Sequence, residues 1–111
     1  MDDKEVKKME TQHEPTLTEM TEAAIKILNQ NKDGYFLFVE AGRIDHGHHN
    51  GMARYALSEG IEFDNAITKA LEMTDPTETL IIVTADHSHT LSMGGYLKHE
   101  SSILGMKISK T

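Results

Sequence analysis

Two apolar runs, each ending in a cluster of carboxylates and histidines, constrain this chain more than any other feature. The first run spans residues 35–39 and leads into residues 40–49, which contain two carboxylates and three histidines. The second run spans residues 80–85 and leads into residues 86–89, with one aspartate and two histidines. Such polar groups are costly beside a core unless a metal ion or a charged partner satisfies them. The pattern therefore predicts a fold organised around two polar strand ends.

The residues between these runs follow the period of an α-helix. An apolar face is expected for residues 17–28, after a helix start signal at residues 14–16. A second helix is expected from residue 53 to residue 71, and the Asp-Pro pair at residues 75–76 ends it. The order helix, strand, helix, strand predicts an α/β fold, in which a right-handed crossover helix joins two parallel strands of a partial sheet. Because residues 35–39 are continuously apolar, we expect both faces of that sheet to be covered.

Composition divides the chain and excludes some classes of protein. Residues 1–13 are expected to form a charged tail, residues 14–96 the segment that carries the clusters, and residues 97–111 a tail without a predicted element. No apolar run approaches the length of a membrane span. The formal net charge of -7 argues against nucleic acid as a partner.

The two clusters carry the residue types that bind metal ions. The chain has no cysteine, so any metal must use imidazole and carboxylate ligands, which suits zinc or magnesium. Asp45 and His49 lie four residues apart and can share one ion if a helix begins near Asp45. Glu40, at the strand end, can serve a separate ion, and Asp86 and His87 are neighbours that can converge on another. Since the carboxyl ends of parallel strands meet at one crevice, we expect a single composite site.

The remaining histidines of the clusters allow two interpretations. His46, His48 and His89 can orient metal ligands or contact substrate, or they can be ordinary polar surface residues. Two metal ions a few ångströms apart suit phosphoryl transfer, because one activates the nucleophile while the other stabilises the leaving oxygen. The spacing alone does not identify a substrate.

Residues 39–49 and 83–89 closely resemble the metal-site segments of animal-type alkaline phosphatases. Residues 14–24 and the Gly-Gly-Tyr at residues 94–96 are also similar to that family, so that the resemblance extends over most of the chain. It implies part of the family's three-layer α/β fold and the hydrolysis of phosphate monoesters with zinc and magnesium as cofactors. It also implies a set of ligands: Glu40 for magnesium, Asp45 and His49 for the first zinc, and Asp86 and His87 for the second zinc.

The resemblance is partial. Glu14 falls where animal members have an aspartate that helps to bind calcium, so that calcium is a further candidate cofactor. The serine nucleophile of the family lies in an Asp-Ser-Ala motif, and no such motif occurs here. The last histidine of the first zinc site also has no counterpart in these residues. We therefore assign no catalytic residue, and we expect the isolated chain to be inactive or nearly so.

Partners and alternatives follow from the same resemblance. Family members are homodimers that act outside the cell or are anchored at its surface, whereas this chain carries no signal or anchor pattern. A complete site is expected to need parts of the domain that these residues do not supply. Three alternatives stay open: a non-catalytic zinc-binding module, a degenerate product with a structural role, and another metal-dependent phosphohydrolase of the same superfamily, such as a phosphodiesterase or phosphomutase.

Overall fold

A computed structural model describes residues 14–92 and Ser102. The described residues form three α-helices: α1 (Leu17–Leu28), α2 (Arg43–His49) and α3 (Ala53–Met73). Both α1 and α2 pack against α3. The predicted tail over residues 1–13, the Gly-Gly-Tyr at residues 94–96 and all of residues 97–111 except Ser102 lie outside the described residues.

The helices predicted from apolar spacing are confirmed, and local sequence explains where α1 begins. Thr16 caps α1: its hydroxyl accepts from the Glu19 backbone N–H at 3.2 Å, while the Glu19 carboxylate accepts from the Thr16 N–H at 2.8 Å. This reciprocal pair satisfies two backbone donors that the first turn leaves unpaired. The long helix α3 begins at the predicted residue, Ala53, and ends at Met73, shortly before the Asp-Pro pair that is predicted to end it.

The predicted α/β fold with a parallel sheet is wrong for the part of the chain that the structure describes. Residues 35–39 and 80–85 lie outside the helices, and residues 14–92 contain no strand. The side chains of residues 35–39 alternate between half-buried and exposed, and Phe36 and Phe38 are both exposed. Leu80 and Ile82 are exposed in the same way.

The reason for this error is physical. A continuous apolar run indicates that both faces of a segment are suited to burial, but it does not identify the backbone that would pair with it. A strand needs a ladder of hydrogen bonds to a neighbour, and a two-stranded unit alone is only marginally stable. In residues 35–39 one face is half-buried and the other is exposed, whereas in residues 80–85 only Ile81 is half-buried.

Small residues form most of the core, which allows the helices to approach closely. The buried residues of the described part are Thr21, Ile25, Ala53, Ala56 and Ala66. Gly47 of α2 is also buried, and a Cβ atom added there would lie 2.7 Å from the backbone N of Ala56. The position therefore requires glycine, because any side chain would push α2 away from α3.

The junction between α2 and α3 fixes the direction in which α2 ends. Gly51 has a φ of +62°, in the left-handed region that favours glycine. Its N–H donates to the carbonyl of His48 at 2.9 Å, and the Met52 N–H donates to the carbonyl of Gly47 at 2.9 Å. These two bonds form a Schellman motif, which ends a helix and turns the chain. The last turn of α2, with its histidines, is thereby held beside the start of α3.

Within residues 14–92 and at Ser102, none of the helices combines the length and apolar character that a membrane crossing needs.

Candidate metal centre

The carboxylate of Asp45 lies at the centre of a group of three imidazole rings. Its Oδ1 is 3.4 Å from His49 Nε2. Its Oδ2 is 3.5 Å from His89 Nε2 and 3.7 Å from His87 Nε2. The two clusters that the sequence separates by about forty residues thus meet at one carboxylate.

Helix α2 supplies one half of this arrangement. Asp45 and His49 lie one turn apart on α2, where residues four positions apart project from the same face. Arg43, the first residue of α2, donates from Nη1 to the Tyr55 hydroxyl of α3 at 3.1 Å. This hydrogen bond raises the pKa of Arg43, and it ties the start of α2 to α3.

The non-helical segment of residues 86–89 supplies the other half. His87 and His89 both direct Nε2 toward Asp45, whereas the side chain of Asp86 is 89% exposed. His87 and His89, two residues apart, thus share the side of this segment that faces Asp45. Asp86 Oδ2 nevertheless lies 3.5 Å from His87 Nε2, so that the predicted pair for the second zinc is close enough to share an ion.

Backbone carbonyls orient both imidazoles of this segment. His87 Nδ1 lies 2.8 Å from the carbonyl oxygen of Ser88, and His89 Nδ1 lies 2.7 Å from that of Thr90. A carbonyl only accepts, so Nδ1 carries the proton and Nε2 is turned toward the site. The Ser88 carbonyl, followed by the charges of Asp86 and Asp45, raises the pKa of His87.

Ring contacts hold His89 in place among its neighbours. The rings of His48 and His89 are stacked, with centroids 5.1 Å apart and an interplanar angle of 20°. The ring of His49 meets His89 edge-on, with centroids 4.5 Å apart. His48, which the sequence left between a supporting role and a surface role, is therefore part of the packing around the site.

Three of these side chains form a group that can hold a metal ion. Asp45, His49 and His89 each offer one ligand atom, and these atoms all lie within 4.8 Å of one another. Sequence reasoning assigned Asp45 and His49 to one ion but did not assign His89 as a ligand. The spacing of His87 and His89 is the signal that could have identified it, because alternate residues of an extended segment face the same side.

Other candidates lie apart from this group of three. His46 is exposed on α2. Glu40 is exposed, and its carboxylate lies over Gly42 at the start of α2. Glu14 is exposed ahead of α1, where its negative charge contributes to the raised pKa of Arg43. The roles of magnesium ligand for Glu40 and calcium ligand for Glu14 stay predictions.

Comparison with known proteins identifies the family. The family model described as alkaline phosphatase matches residues 2–111. The chain belongs to the alkaline phosphatase family. No solved structure matches the chain.

Curated alkaline phosphatases agree with this assignment. The tissue-nonspecific isozyme of Felis catus is 56% identical over 93 residues, and that of Rattus norvegicus is 54% identical over 93 residues. An alkaline phosphatase of Gadus morhua is 52% identical over 93 residues. Each match covers 84% of this chain. The matched region spans only 18% of the two tissue-nonspecific isozymes and 20% of the Gadus morhua enzyme.

Proposed function

We propose that this chain contributes part of the metal site of an alkaline phosphatase-type enzyme that hydrolyses phosphate monoesters. The observation that carries the proposal is the meeting of Asp45 and His49 with the 86–89 segment at one carboxylate. Family membership supplies the reaction class, and the geometry explains why these residues belong together.

The donor atoms of the centre fit zinc. Imidazole nitrogens and carboxylate oxygens are ligands that zinc accepts, and thiolates play no part because the chain lacks cysteine. Bound zinc would polarise a phosphoryl oxygen and make a bound water or hydroxyl a better nucleophile. The residues of this chain would hold the ion and orient it. The nucleophile would come from elsewhere in the enzyme, since we assign none here.

The finer assignments of the proposal concern the separate ions. Asp45 and His49 would bind the first zinc, Asp86 and His87 the second, and Glu40 magnesium. Calcium takes six to eight oxygen ligands, so the exposed Glu14 would contribute at most one part of a calcium site.

The proposed partner of this chain is the remainder of the enzyme. Six large apolar side chains of the described residues outside the helices are exposed: Phe36, Phe38, Leu80, Ile82, Val83 and Leu91. Contiguous exposed apolar surface usually marks a contact. Because the matched region spans only 18% of the Felis catus enzyme, this surface would pack against parts of the enzyme that these 111 residues do not supply.

A chimera tests the proposal. The region of this chain that matches the Felis catus enzyme would replace the corresponding region of that enzyme, and hydrolysis of an aryl phosphate monoester would be measured with added zinc and magnesium. We expect activity in the chimera and its loss on Asp45→Ala. The matched control is Asp64→Ala, an exposed aspartate on α3, which should leave activity unchanged. The isolated chain should show little or no turnover.

The alternatives give different results in the same assay. A folded chimera without activity that still binds zinc would favour a non-catalytic metal-binding module. Hydrolysis of a phosphate diester in preference to the monoester would favour another phosphohydrolase of the superfamily. An active chimera that is insensitive to Asp45→Ala would contradict the role proposed for this site.

A further inference from the structure

We propose that Asn50 is a site of spontaneous covalent modification, and that opening of the junction between α2 and α3 sets its rate. In this reaction the backbone nitrogen of Gly51 attacks the side-chain amide of Asn50, which is converted slowly to an acid. Asn50 caps the C-terminus of α2, and both Asn50 and Gly51 are exposed to solvent. The reaction takes place beside the metal centre and does not depend on a bound ion.

The residue that follows Asn50 distinguishes it from the other asparagines of the chain. Asparagine is a chemically labile residue, and Asn29, Asn31 and Asn65 are exposed as Asn50 is, so exposure does not separate them. They are followed by glutamine, lysine and alanine, whereas Asn50 is followed by glycine. Because glycine has no Cβ, its backbone nitrogen can approach the preceding side chain closely. Asn50 is therefore expected to react fastest.

The reaction needs only water as a co-reactant. A bond forms between the Gly51 nitrogen and Cγ of Asn50, the bond from Cγ to Nδ2 breaks, and ammonia leaves with the proton of the Gly51 amide. Water then opens the resulting cyclic imide. Opening at the side-chain carbonyl gives aspartate, and opening at the main-chain carbonyl gives isoaspartate, in which the backbone runs through the former side chain. The net change consumes water and releases ammonia.

The folded junction opposes the attack. The ψ of Asn50 is -2°, so that the Gly51 nitrogen eclipses the backbone nitrogen of Asn50 and is turned away from its Cβ. The ring can close only after ψ rotates. The Gly51 N–H donates to the carbonyl of His48 at 2.9 Å, and this rotation breaks that bond. The Schellman motif must therefore open before the reaction, and the cost of local opening reduces the rate.

Either product weakens the last turn of α2. Aspartate at residue 50 places a negative charge at the C-terminus of the helix, where the helix dipole disfavours it. Isoaspartate lengthens the backbone before Gly51, so that the hydrogen bonds of the Schellman motif cannot form again in register. Asn50 directly follows His49. The modification therefore gives the chain a slow and irreversible route by which the helix end beside the metal centre loosens.

Peptide mapping by mass spectrometry tests the site. The 111-residue chain would be incubated at mildly alkaline pH in buffer and in guanidinium chloride, and the mass increase from amide to acid would be followed at each asparagine. In guanidinium we expect Asn50 to convert fastest. In buffer Asn50 should convert at least about tenfold more slowly, because the junction must open first.

Two outcomes of this experiment would overturn the proposal. Equal rates at all asparagines in guanidinium would show that Asn50 is not a preferred site. Equal rates at Asn50 in buffer and in guanidinium would show that the junction does not control the reaction.

A variant of Gly51 tests the chemistry apart from the fold. Gly51 has a φ of +62°, so alanine there strains the folded chain, and the comparison is made in guanidinium. Gly51→Ala should slow Asn50 to the rate of Asn65, which already precedes alanine. Unchanged conversion in Gly51→Ala would mean that the attacking nitrogen is not that of residue 51.

A variant of Gly47 tests the control by the junction. In buffer, Gly47→Ala should accelerate conversion of Asn50, because a Cβ at residue 47 would lie 2.7 Å from the Ala56 backbone N and separate α2 from α3. A Gly47→Ala chain that does not fold would reach the guanidinium rate, which is a change in the same direction. The matched control is Gly60→Ala, where a Cβ meets no atom within 4 Å and no acceleration is expected. A wild-type rate in Gly47→Ala would overturn the control by the junction.

Discussion

The two halves of the candidate metal centre are built in different ways. The helical half consists of Asp45 and His49 on α2, whose backbone is fixed by hydrogen bonds and by packing against α3. The non-helical half consists of residues 86–89, which lie outside any helix. In the helical half, a spacing of four residues places Asp45 and His49 on one face of α2. In the non-helical half, a spacing of two residues places His87 and His89 on the side that faces Asp45. Both place ligand atoms beside the same carboxylate.

This difference between the two halves predicts which residues tolerate substitution without loss of metal binding. In the helical half, a ligand is fixed by backbone that other side chains support, including Tyr55 beneath Arg43. In the non-helical half, side chains range from 17% exposed at His89 to 89% exposed at Asp86. We therefore expect metal binding by this chain to depend more strongly on the helical half.

The sharpest test of this comparison replaces one carboxylate in each half. Asp45→Asn should weaken zinc binding by more than about 100-fold, because three imidazoles surround that carboxylate and an amide does not replace its charge. Asp86→Asn should weaken binding of the ion held by Asp45 and His49 by about tenfold or less, because the Asp86 carboxylate contacts His87 and is assigned to the second zinc. Zinc affinity is measured by chelator competition. Equal losses in the two variants would remove the distinction between the halves.

A second test disturbs the backbone of the helical half without touching a ligand. Gly47→Ala would place a Cβ within 2.7 Å of the Ala56 backbone N and 2.8 Å of its Cα, so α2 must move away from α3. Overpacking of this kind typically lowers the free energy of unfolding by about 1–3 kcal/mol. We expect that loss in a denaturant titration, together with weaker zinc binding. A variant with wild-type stability and affinity would show that the close contact does not position the site.

The helices could be predicted because their signals are local. The capping residues at positions 14–16 and the apolar spacing from residue 53 onward lie within the elements that they specify. The predicted sheet was wrong, because pairing between residues 35–39 and 80–85 would depend on contacts distant in sequence that neither run specifies. Their apolar character was read as burial on both faces, whereas Phe36 and Ile82 are exposed in the described structure.

The site was predictable to a similar extent. The i, i+4 spacing of Asp45 and His49 is local, and it placed both side chains on one face of α2. The approach of the two halves followed from an expected sheet edge, which the described residues do not form, yet the halves meet through packing beside α2. The spacing of His87 and His89 is a local signal that both share a side, but the burial of His89 arises from the rings of His48 and His49, which are distant in sequence.

A third test uses pH to measure the contact between α1 and α3, the helix against which α2 packs. The Thr18 side chain and its backbone N–H, which donates to Glu62 Oε1 at 2.9 Å, lower the pKa of Glu62 below its ordinary range. A carboxyl whose pKa is lower in the folded state stabilises the fold above its unfolded pKa, and this contribution is lost as pH falls through the folded pKa. Glu62→Gln should therefore reduce stability by about 0.5–1.5 kcal/mol at neutral pH, and by less in acid.

The measurement for Glu62 is denaturant unfolding at a series of pH values between neutral and acid. The matched control is Glu78→Gln, an exposed glutamate beyond the end of α3. We expect the difference between wild type and Glu62→Gln to shrink in acid, while Glu78→Gln follows wild type throughout. A constant difference across the series would mean that the Glu62 contribution is packing rather than charge.

The smallest expected change in the free energy of unfolding comes from Gly60, the other glycine within the described helices, and this change is stabilising. Gly60 lies inside α3, and a Cβ added there would meet no atom within 4 Å. Alanine in a helix interior is favoured over glycine by about 0.5–1 kcal/mol. Gly60→Ala should therefore raise the free energy of unfolding by that amount and leave zinc affinity unchanged. If Gly60→Ala destabilised the chain as Gly47→Ala does, the loss at Gly47 could no longer be attributed to its contact with Ala56, and the support assigned to the helical half would need another source.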